Sequence, residues 1–236
     1  MDNATLLAET VLLDFRHPDL QRLVATRRWA GLPEYERIGA VYDFVRNEIA
    51  FGYNEADDLP ASRVLADGYG QCNTKGTLLM ALLRAVGIAC RLHGFTIDKA
   101  LQHGAITGLA YWLAPRSIIH SWVEVVHDGR WINLEGFILD RDYLGALQRR
   151  YAGNCRAFCG YGAATSDLAN PPVEWRGGDT YIQKEGINHD FGRFDDPDAF
   201  YAAHGVNVRG LRKWLFKHFV RQWMNANVAR VRNGFL

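Results

Sequence analysis

A cysteine stands where a glycine-flanked loop runs into a helix-forming segment, "GYGQCNTKGTLLMALLRAVG", Gly68 to Gly87. A thiolate attacks an acyl carbon far better than a thiol. A cysteine at a helix N-terminus is drawn toward thiolate by the helix dipole and the unpaired N–H groups there. Cys72 holds such a position, and Gly68 and Gly70 let the backbone approach a substrate closely. The Cys72 N–H would face the oxyanion of an attacked carbonyl. A free cysteine is often simply a small buried hydrophobe, so Cys72 reads as chemistry only if a base accompanies it.

His120 is the candidate base. It lies in "IIHSWVEVV", a segment rich in strand formers. Alternation puts His120, Trp122 and Glu124 on one face and Ser121, Val123 and Val125 on the other. An imidazole on a rigid strand suits proton transfer with a thiol. The next strand, "RWINLEG", sets Trp131, Asn133 and Glu135 on one face. A hairpin partner is where a third group would hold the imidazole tautomer.

The elements that must position these groups follow from pattern. Ile38, Val41, Tyr42, Val45 and Ile49 fall at helical spacing over residues 34 to 49, just after Pro33. "PASRVLADGYG" predicts one or two turns of helix. Residues 72 to 86 predict the next helix, with Gly87 as its C′ residue. "IACRLHGFTI" reads as a strand, and Asp128-Gly129 is a hairpin turn between two more. Helices followed by strands imply an α+β fold with an antiparallel sheet, not a doubly wound parallel one.

The motifs "YGQC", "LLMALLRAVGI", "CRLHGF", "HSWVEV" and "RWINLEG", in that order over roughly residues 34 to 145, resemble the transglutaminase-like superfamily of cysteine enzymes. The resemblance implies a papain-like α+β core and chemistry through a cysteinyl thioester. Matched motif by motif, it puts Cys72 at the nucleophile, His120 at the base and Glu135 at the acid. Gln71, Tyr69, Trp122 and Asn133 are the accompanying candidates for oxyanion or substrate contacts. The family's third residue is usually Asp, and here it is Glu, one methylene longer. Asn133 and Asp140 are the rival orienters of His120.

The rest of the chain bounds the reading. At 236 residues, with 48% apolar and 22% charged residues, it can build a real core as one domain, or one with a substantial extension. A formal charge of +1 argues against bulk nucleic-acid binding, and no apolar run is long enough to span a membrane. The first residues carry acids and no Lys or Arg before Arg16, unlike a secretory signal. The expected location is the cytoplasm, where four cysteines would stay thiols. Cys155 and Cys159 lack the partners a zinc site needs. "DFG" at Asp190 to Gly192 has no kinase segments around it. No metal or organic cofactor is called for.

Residues 1–150 read as the catalytic core with a helical lead-in, and residues 151–236 as a loop-rich and helical extension packed on it. Asp196 and Pro197 start a short helix. In the long terminal helix, Val208, Leu211, Leu215, Phe219 and Trp223 form an apolar stripe expected to pack on the body. Seven Arg or Lys and no Asp or Glu follow Ala199. Of these, Arg209, Arg212, Lys213, Lys217 and Arg221 could dock an acidic partner. The expected function is cysteine-dependent acyl transfer on an amide-, peptide- or carrier-linked acyl substrate, ending in hydrolysis or amide formation. The alternative is a non-catalytic binding module that keeps the fold.

Overall fold

The computed structural model describes residues 4–105, 111, 115–153, 157–208 and 210–234, without the side chains of 211–213. Cys155 and Arg209 lie outside the described residues.

Four helices precede the sheet: α1 (Pro18–Arg27), α2 (Glu34–Asn47), α3 (Ala61–Asp67) and α4 (Cys72–Ala85). Helix α2 starts behind Pro33, carries Glu34 and Glu36 in its first turn and Arg46 in its last, which complements the dipole. Its apolar face buries Ile38, Val41, Tyr42 and Val45. Helix α4 is the centre of the molecule, buried at every position from Cys72 to Arg84. Its two cations are therefore matched to carbonyls. Lys75 Nζ donates to Arg46 O at 3.1 Å and Ile138 O at 3.0 Å, and burial lowers its pKa to about 7. Arg84 donates to the carbonyls of Ala8, Cys90 and Asp195. Gly87, at φ 79°, takes the left-handed conformation that ends the helix.

Strand β1 (Ala50–Phe51) pairs in parallel with β2 (Tyr69–Gly70), which leads into α4. Strands β3 (Cys90–Asp98), β4 (Ser117–His127) and β5 (Arg130–Leu134) follow. Helix α5 (Arg141–Arg150), the ribbon of β6 (Phe158–Gly160) and β7 (Ala163–Thr165), and β8 (Ile187–Phe194) come next. The main sheet has the order β5-β4-β3-β8, antiparallel throughout. One face presents Leu92, Val123, Val125, Ile132 and Leu134 to the core around α4. The opposite face carries Arg91, His93, Phe95, His120, Trp122 and Glu124, with Phe95 paired to His120 and His93 to Trp122.

Glu124 is 1% exposed, and Arg91 Nε lies 2.6 Å and His93 Nδ1 2.8 Å from its oxygens. Burial would raise its pKa, but the bonds from His93 and Arg91 outweigh that and hold it at about 2. The extension is not only loops and helices, because β8 is its own strand and completes the sheet.

Helix α6 (Pro197–His204) is capped by Asp196, which accepts from Ala199 N at 2.8 Å. It lies so close on β3 that a Cβ at Gly94 would meet the Phe200 ring at 2.3 Å. Helix α7 (Gly210–Leu215) joins α8 (Arg221–Arg232) through a π-helical turn at Phe216–Val220. The expected stripe is corrected here. Leu215, Phe219 and Trp223 are 45%, 61% and 42% exposed, and Met224, Val228 and Val231 are buried instead. The adjacent row, with the same i, i+4 spacing, is the one that packs on the core. Leu211 has its side chain outside the described residues. Among the described residues no helix is long and apolar enough to cross a membrane.

Candidate active site

Cys72 is the first residue of α4, and Gln71 is the N-cap. An α-helix leaves its first N–H groups unpaired, so the Cys72 amide belongs to a set of free donors at the positive end of the dipole. Cys72 is 9% exposed, whereas His120 and Glu135 are fully buried. The thiol is thus the only one of the three with an opening to solvent.

His120 Nε2 lies 2.8 Å from Glu135 Oε1. Its Nδ1 is buried without a hydrogen-bond partner. Burial lowers the His120 pKa, but Cys72 first and then Glu135 more than offset this, and the net effect raises it to about 10. The imidazole is therefore bonded to the carboxylate on one side and feels the sulfur electrostatically, with no hydrogen bond on its second nitrogen.

The second Glu135 oxygen is held just as firmly. Oε2 accepts the backbone N–H groups of Ile182, Gln183 and Lys184 at 2.8, 2.9 and 3.1 Å. The Glu135 N–H in turn donates to Thr180 O at 3.0 Å. The longer glutamate thus serves two partners at once, His120 on one oxygen and a three-amide cradle on the other. The cradle comes from residues 180 to 184 of the extension, and nothing in the hairpin motif announces it.

Asn133 is not the orienter. Its side-chain nitrogen donates to Asp179 at 3.2 Å and to Tyr181 Oη at 2.9 Å. Asp140 caps α5 through Tyr143 N, accepts from Phe51 N and pairs with Arg232. Gln71 is bonded within its own loop. Its Oε1 accepts from Asn54 N at 2.9 Å and its Nε2 donates to Asp57 at 3.3 Å, so the side chain fixes the loop. Tyr69 Oη accepts from Arg221 at 3.1 Å and joins that loop to the terminal helix. Trp122 is buried with its ring 4.1 Å from Phe95, and its Nε1 has no partner. The Phe95 ring lies 6.3 Å from His120.

Three groups near the thiol were not visible in the sequence. Burial and then Cys72 raise the pKa of Tyr53, whose hydroxyl donates to Gln102. Burial, Asp57 and Cys72 raise that of Tyr201, whose buried hydroxyl has no partner. Both phenols therefore stay protonated donors. Asp57 accepts from Asn73 Nδ2 at 3.1 Å and Asn207 N at 3.0 Å, which ties the start of α4 to the segment after α6. Among the described residues no group of three His, Cys, Asp or Glu could hold a metal ion.

Residues 24–136 match the model of the transglutaminase-like superfamily. No curated protein matches the chain. A candidate cysteine protease from Cytophaga hutchinsonii is similar at 15% identity and TM-score 0.47, over 84% of this chain and 49% of that one. The chain thus spans about half of that protein's length. A candidate protease from Parabacteroides distasonis aligns at 19% identity and TM-score 0.36, over 56% of this chain and 26% of its own. Red sea bream transglutaminase aligns at 16% identity and TM-score 0.29, over 56% and 25%. The matched span contains Cys72, His120 and Glu135, and over residues 24–136 the chain is similar to the transglutaminase-like superfamily.

Proposed function

We propose that the protein is a cysteine-dependent acyl-transfer enzyme acting on an amide or thioester through a thioester on Cys72. The observation that carries this is the His120 ring, bonded to a locked Glu135 on one side with a free buried nitrogen on the other. In this reading the proton shared by Cys72 and His120 already sits on the imidazole, and the Cys72 sulfur bonds to the carbonyl carbon as the C=O π pair moves onto oxygen. The C–N or C–S bond to the leaving group then breaks, and His120 returns the proton to that group. Water or an amine then attacks the thioester carbonyl and gives its proton to His120, the C–S bond breaks, and the Cys72 sulfur is released beside the protonated ring. The Cys72 N–H is the first donor to the oxyanion. Tyr201 is the second, because its hydroxyl is buried, unpartnered and in the electrostatic range of Cys72.

The substrate in this reading is amide-, peptide- or carrier-linked. An acidic partner at the tail would meet fewer free cations than composition suggests, since Lys217 pairs with Glu55 and Arg221 donates to Tyr69. The test is acylation by p-nitrophenyl acetate, followed by mass spectrometry of the cysteine peptides. One acetyl group on Cys72, absent in Cys72→Ala and slowed about tenfold or more in Tyr201→Phe, supports the reading. Wild-type protein that releases p-nitrophenol no faster than Cys72→Ala would make it a binding module.

A further inference from the structure

A cavity of about 680 Å³ opens between α5 and the loop of residues 169–179, and none of Cys72, His120 and Glu135 lines it. Its lining includes Arg46, Arg141 and Arg176. Three guanidiniums on one cavity repel one another unless an anion sits among them. The protein supplies only part of that anion. Arg46 Nη1 pairs with Glu174 at 2.7 Å, and no carboxylate lies within ion-pair distance of Arg141 or Arg176 among the described residues. Asp179 also lines the cavity but already accepts from Asn133 and Tyr181.

Arg46 is the anchor. Its side chain is 2% exposed, and its Nε is buried with no hydrogen-bond partner. That nitrogen is closed off from solvent, so Arg46 contributes its charge while Arg141 and Arg176 supply the exposed donors. All three charges act on one carboxyl of the lining. The Glu174 carboxyl is held below its ordinary range by the Arg46 hydrogen bond, against burial, and by the charges of Arg46, Arg141 and Arg176. The walls are preformed. Tyr42 Oη donates to Val173 O at 2.7 Å, and Gln148 Nε2 donates to the carbonyls of Leu168 and Ala169, both at 3.1 Å.

We propose that this cavity binds a small molecule carrying a phosphoryl group, held by Arg46, Arg141 and Arg176. A guanidinium fork matches phosphate oxygens two at a time, which lysine does not. The volume is in the range of ligand pockets and exceeds one phosphate. Leu144, Pro171 and Val173 give the remainder of such a ligand an apolar wall. The site stands apart from thiol chemistry and goes beyond the proposed activity.

The test is calorimetric titration and thermal denaturation of the full chain with inorganic phosphate, pyrophosphate and phenyl phosphate, against sodium chloride of matched ionic strength. Stabilisation should exceed that of the salt control and should be larger for phenyl phosphate than for phosphate, because of the apolar wall. Arg141→Gln and Arg176→Gln should each weaken binding about tenfold, and the double variant should abolish it. Both side chains are at exposed positions, so the fold should survive, as circular dichroism can check. Cys72→Ala should bind as the wild type does, whatever becomes of the acyl-transfer reading. A thermal shift no larger than that of sodium chloride, or full binding by the double variant, overturns the proposal.

Discussion

Glu135 holds His120 with one carboxylate oxygen at 2.8 Å while three successive backbone amides, 182 to 184, grip the other. An amide cannot fill both roles. In Glu135→Gln the NH₂ must face either the cradle, donor against donor, or the imidazole. The variant should lose about 1–3 kcal/mol of stability, because either orientation weakens one of the two sets of bonds that the carboxylate makes. It should also lower the His120 pKa, because a carboxylate that raises it is gone. Nuclear magnetic resonance of ring-labelled histidine reads this directly. The His120 midpoint should lie far above 6.5 in the wild type and should fall in both Glu135→Gln and Cys72→Ala. Asn133→Ala should leave it in place, and a drop there equal to that of Glu135→Gln would return the orienting role to Asn133.

The same shift fixes an alkaline trend. The folded His120 pKa is raised from 6.5 to about 10. Its stabilising contribution is therefore complete below pH 6.5 and is lost as pH climbs through about 10. Wild-type stability should decline over that window more steeply than that of Cys72→Ala, in urea titrations at successive pH values. Parallel curves would mean that Cys72 does not hold the His120 proton.

Thiol reactivity gives a sharper contrast. Cys159 is exposed, with its pKa raised by burial of part of the side chain and by Asp98. Cys90 is fully buried, and burial pushes its pKa to about 11. Access alone would favour Cys159, whereas chemistry favours Cys72. Iodoacetamide at pH 7 should label Cys72 first, with peptide mapping as the readout for all four cysteines. Faster labelling of Cys159 would reduce Cys72 to packing.

What could be read from the sequence had a local cause. Cys72, His120 and Glu135 sit in short motifs whose helix start, strand alternation and Asp128-Gly129 turn are each written in neighbouring residues. The β4–β5 register ends with Val123 opposite Leu134, so the hairpin carries His120 and Glu135 to the same end of its two strands. The amide cradle, Tyr201 and β8 come from a segment with no apolar periodicity, so only tertiary pairing reveals them. The terminal stripe failed for another reason. Leu215, Phe219 and Trp223 share i, i+4 spacing with the adjacent row Phe216, Val220, Met224 and Val228, and it is that row that packs on the core.

Acid should expose the second face of the sheet. The Glu124 pKa is lowered from 4.5 to about 2, as bonds from His93 and Arg91 outweigh burial. Its contribution is present above pH 4.5 and is lost as pH falls through about 2. Glu124→Gln should cost about 3 kcal/mol at pH 7, because it leaves Arg91 in a buried site without its full counter-charge. The gap from wild type should narrow from pH 4.5 downward. A gap that stays constant to pH 2 would mean that packing, not charge, sets it.

The terminal helix is expected to hold the loop before Cys72 rather than merely cover it. Asn225 accepts from Tyr53 N at 2.7 Å and donates to Tyr53 O at 3.0 Å. Tyr53 lies in the stretch that Asn54 and Gln71 bind to the start of α4. Asn225→Ala removes both bonds and leaves two backbone groups to find water, so it should cost about 1–2 kcal/mol. Among the described residues Asn225 makes no hydrogen bond to Cys72 or His120, so a purely local loss would leave thiol reactivity alone. If the helix positions the loop, Cys72 labelling should slow several-fold while the His120 midpoint stays fixed, since His120 is held from the strand side. Unchanged labelling with lowered stability would make α8 a cover only. A shifted His120 midpoint would show that the loop and the imidazole move together, against the separate anchoring of Cys72 by the loop and of His120 by Glu135.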